Sequence, residues 1–548
     1  MRKIYMFIYS LSACAISFAQ SFEWAKVEGL YAYDYGYGIA NDAAGNVYVA
    51  GKYEQQAVFS GNVLPMQGNH DSYLAKYSAS GSLNWIRTCG GFNGDYAHAL
   101  TCDHAGNLVV AGEVEDGNAT ITFPGSTVTL NPVGDNDVFV ASYDAAGGIR
   151  WARTDGYKYN EKALGVACDP SGNVFVCGYF KDTTAFDGKL IPSKGAEDIF
   201  IAKYDPNGNI LWMKHAGGPG EDEAKAVTCD ASGNVYVCGM YSHGAIFGGS
   251  TLATAITPYG QFFDGFIAKY DSDGALIWVN KIEGDYDDVA WSITKDQAGK
   301  LYVAGEFSGA RFDGQNIVWP NGRQDAFAAC YDQNGNFQWV NHGGGPIADR
   351  ARGIGTDGVQ IFITGQFGLN GTFGSSSVAA ADSSDIFISA LDNMGNFLWT
   401  KTVGGIRDSF EIDGFESGIA VCAIPGSAYV TGTVLDGGVF DTYSFAGYKR
   451  TDVFVTKLST VVGLDENSKN SNAVKLFPNP AREKLLVRMA EERKDAELLL
   501  FNVYGQKVLD HKIRNNDVVD LISIPDGFYT YQIIENGRTL ENGKLIIE

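Results

Sequence analysis

Carboxylates recur at one place in a repeated sequence: Asp34, Asp95, Glu161, Asp222, Asp288 and Asp349, with Phe415 and Glu416 at the matching place in a seventh copy. Each of the six lies eight residues before the first Asp of a tight turn. A collar of such oxygens at the mouth of a channel has the chemistry to hold a hard cation such as calcium, or a basic or polyhydroxyl ligand. The same carboxylates can instead accept backbone N–H bonds within their own loops. Six copies favour this internal use, because a binding site rarely needs one ligand per repeat. A second acidic column, Asp71, Asp137, Asp198, Asp264, Asp325, Asp385 and Asp452, is complete in every copy and reads as structural.

Other chemistry is sparse. Tyr259, Phe262 and Phe263 share the long connection of the fourth copy, where exposed rings would stack on sugars and enclosed rings would fill the loop. Tyr31, Tyr33, Tyr35 and Tyr37 alternate with small or acidic residues, so half of them should pack and half face a channel or solvent. His215 and His342 each follow a repeat tryptophan by three residues, on different copies, and so should not meet; His70, His98, His104 and His243 lack neighbours at metal-ligand spacing. The Asp-rich turns, Asp271-Ser-Asp-Gly274 among them, lack the closing bidentate Glu of a calcium loop. No nucleophile elbow, phosphate loop or dinucleotide fingerprint is present. No catalytic residue, metal ligand or required cofactor is assigned on this basis, with calcium the one ion the acidity admits. Catalysis by residues gathered from separate repeats stays open.

The elements that must position these residues follow from seven tryptophans. Trp24, Trp85, Trp151, Trp212, Trp278, Trp339 and Trp399 stand 61, 66, 61, 66, 61 and 60 residues apart, the length of a four-stranded blade with a generous loop. The third copy shows the pattern: Ala163 to Cys168, a turn at Asp169-Pro-Ser-Gly-Asn173, then Val174-Phe-Val-Cys-Gly178. A longer connection through Phe186-Asp-Gly188 reaches a third strand at Asp198, and a turn at Asp205-Pro-Asn-Gly208 delivers the fourth, ending at Trp212. Asp or Asn before Gly suits such turns, since Gly takes positive φ freely. Phe22-Glu23-Trp24 lacks the first three strands of a copy, and the last copy, ending at Leu458, lacks the fourth. The two halves complete one blade, predicting an all-β, seven-bladed β-propeller over residues 20–462, closed by its N-terminal strand with no open sheet edge.

This grammar resembles the SBBP β-propeller repeat family, on phrases such as Gly-Asn-Val-Tyr-Val-Cys-Gly239 and Asp198-Ile-Phe-Ile-Ala-Lys-Tyr204. The resemblance implies the fold and an extracytoplasmic setting, and no agreed chemistry. Two copies depart in their first turn, at Asp357-Gly-Val-Gln360 and Ala423-Ile-Pro-Gly426, which predicts altered turns rather than lost blades.

The ends bear on destination. Met1-Arg2-Lys3, an apolar run from Ile4 to Phe18 and small residues at Ser17 and Ala19 predict a signal peptide over 1–19; a lipobox at Leu11-Ser-Ala-Cys14 is the competing reading. Residues 463–473 are polar and read as a linker. Beyond them new motifs appear, among them Val474-Lys-Leu-Phe-Pro-Asn-Pro480, Glu497-Leu-Leu-Leu-Phe-Asn502 and Asp526-Gly-Phe-Tyr529. Residues 474–548 resemble the type A C-terminal sorting domain of the type IX secretion system, departing from it in the acidic final Glu548. The bare residues predict a small β-sandwich. The resemblance implies export of a Gram-negative periplasmic intermediate to the cell surface or medium by the type IX machinery.

With a formal charge of −23, the chain has no basic face for nucleic acid. Past the signal peptide no apolar stretch approaches a membrane span. Cys102, Cys168, Cys229 and Cys422 share one repeat column and Cys177 and Cys238 another, which predicts free, buried thiols; Cys89 and Cys330 are left open. The expected function is a secreted binding or adhesive scaffold for a glycan or protein ligand. The alternative is an extracellular carbohydrate-active enzyme, a lyase or glycosidase, which a cluster of Tyr or His with Arg would favour.

Overall fold

The structure is a computed structural model of the 548-residue chain. It describes residues 20–29, 32–115, 121–123, 126–242, 244–252, 262–405, 416–460, 474–477, 481–482, 484–489, 496–502, 506–525, 527–535 and 538–547. The signal-peptide segment 1–19, the linker 463–473, Tyr31, His243, Tyr259 and Phe415 lie outside these residues. Among the described residues the secondary structure is all β, and no helix is long and apolar enough to cross a membrane. Ser21–Thr460 form one compact unit, and the strands from Val474 onward belong to another.

In the larger unit the third repeat shows the plan. Glu161–Cys168, Val174–Phe186, Lys189–Tyr204 and Ile210–Ala216 pair in chain order as one antiparallel sheet. Cys168 faces Val174, three residues short of Cys177, and all the described cysteines are free. The same four-strand order starts again from Tyr35–Asn41, Gly94–Cys102, Glu223–Cys229, Val289–Lys295 and Arg350–Thr356. In the last group, Ser417–Ile424, Ser427–Phe440 and Tyr443–Ser459 are joined by Phe22–Glu28, from the other end of the chain. Trp24 sits opposite Lys457, and Thr456 Oγ1 donates to the Trp24 carbonyl over 2.8 Å.

First strands pack on one another in order. Tyr35–Asn41 lies against Gly94–Cys102, each later first strand against the next, and Ser417–Ile424 back against Tyr35–Asn41. The series is therefore a closed cycle. Small residues allow the backbones to meet: a Cβ on Gly38 would lie 2.9 Å from the Leu100 nitrogen, and one on Gly353 2.9 Å from the Ala420 Cα.

The tryptophan period has a cause in this packing. Six of the seven tryptophans lie over the third-to-fourth-strand turn of the following group, among them Trp24 over Gly81, Trp151 over Gly208 and Trp339 over Gly395. Trp151 Nε1 donates to the Pro206 carbonyl over 3.0 Å, and Trp212 Nε1 to that of Ser272 over 3.0 Å. Gly208 has a φ of 84° and an indole carbon 2.7 Å from where a Cβ would stand, so the turn and the stack both require glycine.

The longer connection between second and third strands is a hairpin carrying a buried phenylalanine: Phe59, Phe123, Phe186, Phe247, Phe312, Phe373 and Phe440 are at most 4% exposed. Phe373 packs on Phe387 with ring centroids 4.6 Å apart, and Phe59 on Tyr73 at 4.7 Å. The hairpins also pair with the end of the preceding fourth strand, as in Gly343 with Phe373 and Ile282 with Phe312, which ties neighbouring groups together.

In the second unit, Val474–Phe477, Lys484–Met489 and Val518–Asp520 form one antiparallel sheet, and Lys507–Ile513, Ala496–Phe501, Gly527–Glu535 and Arg538–Ile547 form another. Both sheets contribute to one apolar core, with Leu485, Val487 and Val519 from the first and Leu498, Leu500, Ile533 and Leu545 from the second.

Candidate functional site

The acidic collar is enclosed. Asp34, Asp95, Glu161, Asp222, Asp288 and Asp349 are each 0% exposed, and Glu416 is buried in the seventh place. Apart from Glu161, their oxygens hold loop backbone. Asp222 accepts from the Gly218 N–H at 2.7 Å and the Ser242 N–H at 2.9 Å, and Asp349 from Gly345 at 2.7 Å and Gly368 at 2.9 Å. Asp34 accepts from Glu54, Asp95 from Gly91, Asp288 from Ser308, and Glu416 from Gly405 and Leu435.

The second acidic column meets the first. A Cβ on Gly344 would lie 2.5 Å from Asp349 Oδ2 and 2.9 Å from Asp325 Oδ1, and one on Gly29 2.5 Å from Asp34 Oδ2 and 2.6 Å from Asp452 Oδ1. At these two places a glycine at the end of a fourth strand is thus pinned between carboxylates of successive groups. Burial drives up the proton affinities of several of them. It pushes Asp222 to about 7 against the backbone bonds from Ser242 and Gly218, with Asp198 adding to the rise. Burial also takes Asp264 to about 7, Asp198 and Asp349 to about 6, and Glu161, with Asp137 beside it, to about 9. Among the described residues no group of three or more His, Cys, Asp or Glu could hold a metal ion.

Replacing Asp222 with Ala should leave the Gly218 and Ser242 N–H groups without acceptors and destabilise the fold by roughly 1–3 kcal/mol. Thermal unfolding with and without calcium checks this. A raised melting temperature in the variant, together with calcium stabilisation of the parent alone, would show a cation site instead.

Of the predicted aromatics, Tyr259 is outside the described residues. Phe262 and Phe263 are half-buried. Phe262 packs on Tyr286, centroids 5.3 Å apart. Phe263 is tied through its backbone, its carbonyl accepting from Asp288 at 2.8 Å and its N–H donating to Asp287 Oδ1 at 3.0 Å.

A different set of side chains comes together on the first strands. Each first strand carries a one-residue register shift, between Gly36 and Gly38, Ala97 and Ala99, Ala163 and Gly165, Ala224 and Ala226, Ala290 and Ser292, Ala351 and Gly353, and Gly418 and Ala420. The bulged residues are Tyr37, His98, Leu164, Lys225, Trp291, Arg352 and Ile419, and all are half-buried. A bulge frees a side chain from the ladder and re-aims it. Bulged residues of adjacent groups meet. The Tyr37 and His98 rings are 5.2 Å apart, and Trp291 lies between Lys225 Nζ at 4.6 Å and the Arg352 guanidinium at 4.1 Å from its ring. Sequence reasoning passed over this column. Its signal is a small residue on either side of a varied one, three places after the acidic residue.

Around Tyr37 the cluster is aromatic and titratable. Tyr35 stacks on Tyr37 at 5.5 Å and Tyr96 on His98 at 5.7 Å, with Lys52 Nζ 4.9 Å from the Tyr35 centroid and 5.2 Å from that of Tyr96. His98 Nε2 and Lys162 Nζ each lie 3.1 Å from Glu113 Oε1, and Asn136 Nδ2 donates to Glu113 Oε2 over 2.6 Å. Burial opposes ionisation of Glu113, but His98, Lys162 and Asn136 together hold its carboxyl below the ordinary range. Burial, with Tyr35 and Tyr96 beside it, raises the Tyr37 phenol well above its ordinary value. Around Trp291 the cluster is cationic. Arg350 pairs with Glu306 at 2.5 Å, Trp291 Nε1 donates to Glu306 Oε1 over 3.1 Å, and Lys225 pairs with Glu223.

Comparison with known proteins places the second unit. Residues 475–548 match the Secretion system C-terminal sorting domain. This domain directs type IX export to the cell surface or extracellular space. Over 397 residues the chain is 24% identical to the uncharacterized WD repeat-containing protein L264 of Acanthamoeba polyphaga mimivirus, covering 58% of this chain and 28% of that protein. It is 32% identical over 110 residues to the regulatory protein FlaEY of Caulobacter vibrioides, 19% of this chain and 12% of that one. The chain therefore spans less than a third of either relative. Among solved structures it is similar to a quinohemoprotein alcohol dehydrogenase from Comamonas testosteroni, at 12% identity and a TM-score of 0.33 over 85% of this chain and 79% of that one. It is also similar to Sqt1 from Chaetomium thermophilum, at 13% identity and a TM-score of 0.31 over 79% and 99%. Likeness at these scores adds nothing to the fold read from the sheet pairings.

Proposed function

We propose that the type IX sorting domain exports a seven-bladed β-propeller of SBBP-type repeats, residues 20–462, joined by 463–473 to a small C-terminal β-sandwich. The propeller works outside the cell as a binding or adhesive scaffold. The cyclic packing of first strands and the strand contributed by Phe22–Glu28 support the propeller reading. One observation carries the binding reading. Where other columns repeat one residue type for packing, the bulge column presents Tyr, His, Leu, Lys, Trp, Arg and Ile in turn. A fold that needs only closure has no use for that variety on its innermost strands. Calcium has no place in this reading beyond the enclosed carboxylates.

The second reading, an extracellular lyase or glycosidase, draws on His98, Glu113, Tyr37 and Tyr96, which bring an acid–base pair and two phenols together. Screening the full chain against arrayed extracellular glycans, followed by turnover assays on any that bind, separates the two. Retention without turnover supports the scaffold, and product release that is lost in His98→Ala supports the enzyme. Truncation at Leu464 should leave a folded protein in the periplasm of a host with the type IX machinery. Normal surface yield of that truncation would overturn the export reading.

A further inference from the structure

We infer that Arg352 anchors an oxyanion subsite within the ring of bulged residues, taking a carboxylate or sulfate carried on an acidic oligosaccharide. This rests on the reading of that ring as a binding surface and names the chemistry it selects.

Arg352 is the bulged residue of its strand, its guanidinium lying over Trp291 at 4.1 Å. Two other cations stand close, and both are neutralised: Arg350 by Glu306, Lys225 by Glu223. Glu306 also accepts from the indole N–H of Trp291 at 3.1 Å. Both nearby carboxylates are thereby engaged. Among the described residues Arg352 makes no hydrogen bond or ion pair, although it is half-buried. Burial and the like charge of Arg350 depress its proton affinity, and Glu306 only partly offsets them. A guanidinium carries five N–H donors in a planar fork that matches two oxygens of one acid group. Keeping such a fork desolvated without an acceptor is costly unless an anion or water completes it.

The surroundings select the bearer of the anion. Trp291 holds the guanidinium plane through cation–π contact, so the fork is oriented before a ligand arrives. Elsewhere in the same column the half-buried rings of Tyr37 and His98 come together 5.2 Å apart, and aromatic rings are what a sugar ring stacks on. Carboxylate and sulfate offer the same pair of oxygens to the fork, and the sugar to which they are attached distinguishes their sources.

The test is calorimetry of the full chain at low ionic strength with oligogalacturonate, a sulfated oligosaccharide, a neutral oligosaccharide and inorganic sulfate. The parent should bind at least one of the two acidic oligosaccharides, more tightly than inorganic sulfate. Arg352→Gln should weaken that binding about ten- to hundredfold, the value of a charge-assisted bond pair. Arg352→Lys should fall between them, and binding of the neutral probe should be unchanged. Glu306→Gln removes the nearest competing carboxylate and should tighten the acidic probe. Because that change also frees Arg350, Arg352→Lys carries the test if Arg352→Gln does not fold, and affinity equal to the parent's there overturns the subsite. Equal affinity in the parent and Arg352→Gln overturns the subsite while the binding reading stands. Failure of the parent to bind either acidic probe also overturns the subsite. Failure to bind any glycan or protein probe overturns the binding reading as well.

Discussion

Removing Phe22–Glu28 should leave the protein unable to persist as a soluble monomer. This strand pairs with Val453 to Leu458 along its length, and the Ser459 N–H donates to the Ser21 carbonyl at 3.1 Å. Phe22 and Trp24 are 5% and 8% exposed, and losing either aromatic side chain from a packed site costs about 3–5 kcal/mol. Phe22 meets Phe440 edge-on with centroids 5.4 Å apart, and Trp24 Nε1 donates to the Ala79 carbonyl at 3.0 Å. Deletion therefore unties the last group both within its own sheet and from the first. The exposed Tyr443–Ser459 strand becomes a template for pairing with other chains. Size-exclusion chromatography with light scattering should show dimers or larger species, and a synthetic peptide spanning the deleted strand should return monomer. A truncated monomer melting with the parent would mean that the cycle does not depend on this strand.

Stability should rise as pH falls from 8 to about 5. Asp222 and Asp264 near 7, Asp198 and Asp349 near 6 and Glu161 near 9 all bind protons more tightly folded than unfolded, where an aspartate titrates near 4. Over that window the native state holds more protons, so the stabilisation is complete at low pH and is lost as pH climbs through the folded values. For Asp222 alone, a rise of about three units corresponds to about 4 kcal/mol at most. Two groups oppose the trend. His70 and His215 are depressed chiefly by burial, so their contribution is present above the ordinary histidine value and fades as pH falls below it. Below about pH 4 the turn aspartates also work against stability. The Asn209 side chain and backbone hold Asp205 low, and Asp332, despite some desolvation, is held low by Asn336, so protonating them breaks the turns. A melting temperature higher by at least about 3 °C at pH 5 than at pH 8 is expected. A flat or rising profile from pH 5 to 8 would show that the buried carboxylates are ionised, with cations or water between them.

The amino-acid sequence alone determined the repeat, the strands and the closure. Each rests on local physics: Asp and Gly at Asp205 and Gly208 make a turn wherever they stand, and a half-repeat at Phe22–Glu28 must pair with its missing partner. Type IX export was equally legible, because the ordered motifs of residues 475–548 belong to one small domain. Only the tertiary structure decided what the carboxylates and the inner strands do. Asp325 and Asp349 belong to different repeats and meet only because the sheets pack side by side around Gly344, which encloses the pair and raises Asp349. The bulge at Arg352 was likewise hidden. A one-residue slip leaves no mark on alternation when its neighbours are Ala351 and Gly353, residues too small to declare a face. Those same small side chains let neighbouring backbones approach, and that approach brings Arg352, Trp291 and Lys225 together from three different repeats.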